Sequence, residues 1–407
     1  MWNVVWVFLI LSLIGSLEIY VSRYLTILIK NRSLSKKLLF LHWFFSAWSV
    51  LAVLLFVTLL TDISFRVLRS FVFSAIFTML LSKLFAAFFL LIRDIDQWLK
   101  PKHKPKSQGS MSRSEFLMKT GAVVAAMPIA GTSFGILSGA HDYRLRKQKL
   151  AIANLPREFE GLTLGHISDI HSGSFFNKRA VKGGVSMLLA EKPDLVFFTG
   201  DLVNERTDEL KGYFDIFGLI KADLGVYSVL GNHDYGTYYR NWQSEAAFNR
   251  NFADMLEAHR LLGWQLLRNE NRSLELGREK LAILGVENWG KGRFPKWGDI
   301  IKANLDTQDC KTKLLLSHDP SHWDLQVRPL APDVDVTFSG HTHGMQLGVE
   351  IPGFVKFSPV QFVYEQWAGL YCKDQQQLYV NRGFGYIGFP GRLGIPPEIA
   401  VFELVKA

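Results

Sequence analysis

Thiols are nearly absent from this chain, with 2 cysteines in 407 residues. Cys310 and Cys372 lie far apart, so no CxxC zinc site forms and a thiolate metal centre is excluded. Two buried thiols is the plain reading, a single disulfide is the alternative, and cysteine usage fixes no compartment. Acidic residues are scarce at one end. Residues 1–150 hold 6 Asp and Glu against 19 Lys and Arg, whereas the remainder holds 31 against 27. The net charge of +9 therefore belongs to the N-terminal part. It sits beside apolar segments, which suits membrane topology rather than nucleic acid. The slightly acidic remainder also argues against a nucleic-acid partner. No internal repeat is visible.

Long apolar runs crowd that N-terminal part. Segments from about Trp2 to Val21, Leu38 to Leu60 and Val67 to Ile92 each supply the ~20 apolar residues a span requires. A fourth, from Phe116 to about Ala140, is rich in Ala and Gly and carries Pro128. The expected organisation is a three-helix transmembrane region over 1–93 and a basic linker over 94–115. A signal-anchor-like apolar helix comes next, over 116–140, and then a globular domain over 145–407. The stretch Ser112-Arg113-Ser114-Glu115-Phe116-Leu117-Met118-Lys119 resembles a twin-arginine export signal, but Arg113 stands alone where that signal has two arginines.

Bases cluster in two loops, at Arg23, Lys30, Arg32, Lys36 and Lys37, and at Lys100, Lys102, Lys104, Lys106 and Arg113. The turn at Asp62 has only Arg66 and Arg69. Basic loops stay cytoplasmic, so the N-terminus and the Asp62 turn are expected outside. If the fourth segment spans, the globular domain is extracytoplasmic on an integral inner-membrane protein. Lys83, inside the third span, is expected to snorkel or pair within the bundle.

From about Arg144 the texture becomes globular. Leu162–Ser168, Leu195–Thr199, Gly225–Leu230, Leu281–Val286, Thr312–Ser317 and Val334–Ser339 read as buried strands. Asn177–Glu191, Asp208–Lys221, Ser244–Leu262 and Ser321–Val327 read as helices between them. This alternation predicts an α/β domain with its site at the C-terminal ends of strands.

The exits of those strands are chemically uniform. They carry the blocks Ser168-Asp169-Ile170-His171, Gly200-Asp201, Gly231-Asn232-His233-Asp234, His318-Asp319-Pro320 and Gly340-His341-Thr342-His343-Gly344. Carboxylates and an Asn carbonyl supply hard oxygens, and neutral imidazoles supply nitrogen. A lone carboxylate between two His-bearing turns can bridge two ions, and two ions about 3.5–4 Å apart activate a phosphoryl group and a water together. His166 reads as core or surface, and His322 as a packing residue. Arg392, in a Gly/Pro-rich loop, is either a phosphate ligand or a solvated loop arginine. The aromatic run Tyr235, Tyr238, Tyr239 and Trp242 either shapes an apolar pocket or packs under its own loop.

In these blocks the sequence resembles the calcineurin-like metallophosphoesterases, over about residues 145–405. It is most similar to the bacterial membrane-associated YkuE/YaeI-like branch. The approach Asn154-Leu155-Pro156 and the ending Arg382-Gly383-Phe384-Gly385, Arg392-Leu393-Gly394 and Pro397-Glu398 share that resemblance. It implies a β-sandwich of two mixed sheets flanked by helices, and two divalent ions (Mn, Fe or Zn). Asp169, His171 and His343 would hold one ion, with Asp201 bridging to a second completed by Asn232, His318 and His341. His233 would contact the phosphoryl group, beside Asn232 and Arg392, and protonate the leaving group. Asp234 would orient His233.

Met345 departs from the family, which often has a second glycine there. The expected activity is hydrolysis of a phosphoester, a diester in preference, by a metal-activated hydroxide. Membrane tethering makes a phospholipid or another envelope phosphoester the expected substrate. The alternative is a non-catalytic membrane-tethered module that binds a phosphate ligand or signals.

Overall fold

In a computed structural model the chain forms two compact units, residues 1–134 and 135–407. The structure describes residues 2–29, 31–58, 65–99, 111–351 and 353–407. Lys30, the turn at Asp62 and most of the basic linker lie outside the described residues.

The first unit contains the helices α1 (Trp2–Leu28), α2 (Arg32–Thr58) and α3 (Arg66–Leu99), and most of α4 (Arg113–Leu137). Among the described side chains, Arg32–Leu55, Arg66–Leu99 and Arg113–His141 are long and apolar enough to cross a bilayer. Their exposed surfaces carry Phe, Leu, Ile and Val, which lipid solvates and water does not.

Inside the bundle lies one ionic knot. Lys83 Nζ donates to Glu18 Oε1 at 2.7 Å and to Ser46 Oγ at 3.0 Å. His42 Nε2 lies 3.0 Å from Glu18 Oε2, which also accepts from Ser46 Oγ at 2.8 Å. Glu18 and His42 stand ten residues from Leu28 and Arg32, respectively. That distance is about 15 Å of helix, half of a hydrocarbon core about 30 Å thick. The knot therefore belongs near the bilayer midplane, and Lys83 pairs rather than snorkels. Glu18→Ala leaves the ammonium without its counter-charge, and removing one partner of a buried pair costs about 3–5 kcal/mol. We expect a lowered unfolding temperature for Glu18→Ala in nanodiscs, largely restored by Glu18→Ala/Lys83→Met. An unchanged melt for Glu18→Ala would show that the knot contributes nothing.

Among the described residues the second unit has fourteen strands: β1 (Arg144–Ile152), β2 (Thr163–Ile167), β3 (Leu195–Phe198), β4 (Val226–Ser228), β5 (Gln265–Leu266), β6 (Glu270–Leu276), β7 (Glu279–Gly285), β8 (Thr312–Leu316), β9 (Val336–Ser339), β10 (Val349–Ile351), β11 (Val355–Phe357), β12 (Gly369–Lys373), β13 (Gln376–Val380) and β14 (Glu398–Lys406). One mixed sheet has the order β1-β14-β2-β3-β4-β5, and a second has β12-β13-β9-β8-β7-β6. The strands β2 to β5 run parallel, as do β7, β8, β9 and β13.

The two sheets face each other. Leu195 and Phe197 of β3 share one core with Leu314 and Leu316 of β8 and with Phe338 of β9. Alternation turns the next residues the other way. Val196 and Phe198 pack with Val185 and Leu188 of α5 (Lys178–Ala190) and with Met255 and Leu262 of the helix Glu245–Leu262. Leu315 packs with Ile300 and Trp323 beyond the other sheet. Strands covered on both faces favour apolar residues on both sides, which is why Leu195–Phe198 and Leu314–Leu316 read as continuous runs.

Caps fix the flanking helices. Asn177 Oδ1 accepts from the Ala180 amide, and Ser244 Oγ from the Ala247 amide. The expected helix over 208–221 is broken, into a 3-10 turn at Thr207–Gly212 and a short helical turn at Phe214–Phe217. Within that stretch Gly212 interrupts the run with the poorest helix former after proline.

Candidate metal centre

The carboxyl ends of β2, β3, β4, β8 and β9 converge at one edge of the sandwich. Two groups of potential ligands form there. Asp169, His171 and His343 make one, and Asp201, His318 and His341 make the other, each with ligand atoms within 4.8 Å of one another. Asp201 Oδ2 lies between the groups, 3.1 Å from His318 Nε2 and 3.5 Å from His171 Nε2. Asp201 Oδ1 accepts the His233 amide at 2.9 Å.

The chemistry of the donor set fits two cations. His171 Nε2 faces His343 Nε2 at 3.0 Å, and His341 Nδ1 faces His318 Nε2 at 3.3 Å. Two nitrogens that share one ion at about 2.0–2.1 Å would sit roughly 3.0–3.4 Å apart. The Asn232 Oδ1 atom is buried with no hydrogen-bond partner among the described residues, although its Nδ2 donates to Tyr238 Oη at 3.0 Å. A buried, orphaned carbonyl oxygen beside carboxylates calls for a positive charge.

Burial sets the protonation. It drives His171 down to about 3 and lowers His341 and His343, so these imidazoles are neutral, the form that ligates a metal. Burial also works against charged His318, yet the Asp201 carboxylate holds it protonated, raised to about 10. A cation held by Asp201 and His318 would take the place of that proton. Burial pushes the Asp169 carboxyl up to about 7, with the nearby Asp201 charge adding to the effect. Two carboxylates this deep need cations to remain ionised together.

The turns that present these groups are strained. Asp169, His171, Asp201, His341 and His343 all have φ between 48° and 69°. That left-handed region is uncommon for residues with a Cβ, and holding one there costs of order 1–3 kcal/mol. Glycines make the room. A Cβ on Gly231 would collide with Asp201 Oδ1, and one on Gly340 with Asp169 Oδ2.

Two expected roles are corrected. Asp234 does not orient His233. Its carboxylate accepts main-chain amides from Asp201 at 2.8 Å, Leu202 at 2.7 Å and Gly231 at 2.9 Å, so it shapes the loop that carries Asp201. His233 is held by a carbonyl instead, with Nδ1 2.6 Å from Asn204 O, and its ring stacks on Tyr238 at 4.3 Å. Arg392, expected at the substrate, is 1% exposed. Its guanidinium donates to the carbonyls of Arg382, Gly383, Gly385 and Ile395 and lies 3.3 Å from His343 Nδ1. Buried and turned onto these carbonyls, the side chain clamps the loop behind His343.

The other singled-out residues divide between the core and the rim of the site. His166 is in the core, bonded to Thr199 Oγ1, and His322 is buried against Ser317 Oγ. Tyr235 packs on Phe252 and Trp297, and Tyr239 meets Trp242 edge-on. Of the aromatic run, Tyr238 is the member that reaches the site. Met345 has φ 55° and is exposed at the lip of the site. Sequence reasoning missed Tyr364, whose hydroxyl lies 2.9 Å from His341 Nε2 and donates to Asp319 Oδ2 at 3.1 Å. No spacing signal links Tyr364 to position 341.

Comparison with known proteins agrees with this geometry. Residues 162–345 match the family described as Calcineurin-like phosphoesterase. Residues 3–140 match the one described as Probable Calcineurin-like phosphoesterase, transmembrane domain. "Uncharacterized metallophosphoesterase YkuE" of Bacillus subtilis is 27% identical, over 72% of this chain and 98% of its own length. "Transmembrane protein with metallophosphoesterase domain" of Danio rerio is 28% identical over 67% of this chain, which spans 60% of that relative. "UDP-2,3-diacylglucosamine pyrophosphatase LpxG" of Chlamydia trachomatis is 30% identical, over 61% of this chain and 86% of its own length. The chain belongs to the calcineurin-like phosphoesterases, among the YkuE-like metallophosphoesterases that carry a transmembrane domain.

Proposed function

We propose that this membrane protein hydrolyses a phosphodiester presented by a lipid or another envelope component. Asp169, His171 and His343 would hold one divalent ion, Asn232, His318 and His341 a second, and Asp201 both. The observation that carries the reading is the meeting of two ligand groups at one carboxylate oxygen of Asp201, with His233 beside it. Two such ions, when bound, polarise the phosphoryl group and activate water. Mn, Fe and Zn all suit the nitrogen and oxygen donors.

The chain's own residues do the rest. His233 Nδ1 faces a carbonyl, which only accepts, so Nδ1 carries a proton and donates it there. In the imidazolium form Nε2 carries the second proton and would deliver it to the leaving oxygen, leaving His233 neutral with its remaining proton on Nδ1. The His233 amide, donated to Asp201, fixes the imidazole relative to that carboxylate. Phe294 meets His341 edge-on at 4.8 Å, and Lys291 lies 4.4 Å from the Tyr364 ring. The segment thus brings a cation to the rim, where an anionic substrate enters.

The Chlamydia relative's name describes an acylated sugar pyrophosphate, which supports a substrate with acyl chains. The basic loops argue for a catalytic unit outside the cytoplasm of an inner-membrane protein, away from nucleotide sugars. The test is turnover of bis-p-nitrophenyl phosphate and p-nitrophenyl phosphate by the full chain in detergent, with Mn and with chelator. We expect Mn-dependent turnover that favours the diester and is lost on chelation. A folded protein inert with every divalent ion would overturn the enzymatic reading, and a faster monoester would overturn the diester preference.

A further inference from the structure

The hairpin just beyond the candidate ligands is built inside out. Val349 pairs with Phe357, Glu350 with Lys356 and Ile351 with Val355. Period-two alternation puts Val349, Ile351, Val355 and Phe357 on one face and Glu350 and Lys356 on the other. The polar face is the one turned towards the protein. Glu350 accepts from Arg146 at 2.7 Å and from Arg382 at 2.6 Å. Lys356 Nζ donates to the Ala368 carbonyl and, at 3.1 Å, to Tyr371 Oη. The four apolar side chains are all exposed. Phe354, after β10, is 87% exposed, and Phe362, which meets Phe357 edge-on, is 80% exposed. A two-stranded ribbon is marginal in water, and a contiguous apolar face of this kind marks an interaction surface.

Three observations select a bilayer as its occupant. The chain carries a membrane domain of its own. The hairpin base is tied to the point where the chain enters the catalytic unit. The Gly348 amide donates to Leu393 O at 2.9 Å, the Leu393 amide to Gln346 O at 2.7 Å, and the adjacent Arg392 amide to Gly135 O at 3.1 Å. Gly135 lies in the last turn of the apolar helix α4, two residues from the exposed Leu137. Finally, a cation borders the apolar face at Lys291, which donates to Val363 O. Aromatic and aliphatic side chains bordered by lysine suit a lipid interface.

We propose that the β10–β11 hairpin and the loop through Val363 form a second membrane attachment, dipping about 5–10 Å into the headgroup boundary. The attachment does not depend on the phosphoesterase reading. It sets the height of the site, because His343 lies six residues before Val349 on the same segment.

The test uses the full chain in nanodiscs containing anionic lipid, in a Cys372→Ser background. A bimane label is placed by Phe354→Cys, Phe362→Cys or, as control, the exposed Arg278→Cys. We expect labels at 354 and 362 to lose most of their fluorescence to doxyl-labelled lipid and to resist aqueous iodide, with the reverse at 278. Iodide quenching at 354 and 362 equal to that at 278 would overturn the proposal. Protection from both quenchers would also overturn it, showing that a protein or a second copy covers the face. Neither readout requires turnover, so an inactive enzyme leaves the result interpretable.

Discussion

Asp201→Asn is expected to lower turnover by about 10³-fold or more and to reduce bound metal below two ions per chain. Asp201 Oδ2 lies within 3.5 Å of imidazoles from both groups. The amide has the same shape, so the fold and the His233 amide contact survive. What it lacks is the charge and the second acceptor. Bound ions contribute several kcal/mol of transition-state stabilisation, and ~4 kcal/mol corresponds to about 10³-fold. Metal content is read by elemental analysis, turnover with the diester, and folding by the thermal melt. The apo protein carries a second signature. Asp201 holds His318 protonated, so His318 in Asp201→Asn should titrate at lower pH, visible in its imidazole NMR resonance. Near-normal turnover with two ions bound would remove Asp201 from the bridging role.

The sandwich was legible where burial is two-sided. Strand β3 is apolar throughout, β8 ends in three leucines and β9 alternates Val336 and Phe338 with small hydroxyl residues, and each runs into a turn bearing Asp or His. Edge strands were not. In β1, Arg144, Arg146, Lys147 and Lys149 alternate with few apolar residues, because one flank faces solvent and pairing comes from β14. Nothing local announces a partner more than 200 residues away. The β10–β11 hairpin was hidden for the opposite reason, since its apolar positions alternate correctly for a strand yet face outward.

At the site, residue types were legible and directions were not. Asp234 comes directly after His233, and the family resemblance implied that it orients that imidazole. The left-handed backbone at Asp201 turns the loop so that its amides point at Asp234 instead. Arg392 in a glycine-rich loop reads as exposed, but the carbonyls of Arg382, Gly383 and Gly385 form an acceptor ring that draws it in. Tyr364 acts across a fold-level distance that no spacing encodes.

His233→Ala provides the sharpest separation of chemistry from architecture. Its amide, not its side chain, contacts Asp201, so the substitution leaves both ligand groups in place. Metal content should therefore match the unsubstituted protein. A general acid contributes about 10²–10⁴-fold, and that contribution scales with how badly the leaving oxygen needs a proton. For an alkyl or methyl phosphodiester we expect the full loss in kcat. For a p-nitrophenyl diester, whose phenolate leaves unaided, we expect a much smaller one. A residue that merely supported the Asn204 loop would depress both substrates equally and would lower metal affinity. Equal losses on the two leaving groups would therefore assign His233 to positioning and leave the proton donor to be found elsewhere. Tyr238, stacked on His233 and bonded to Asn232, would be the next group to substitute.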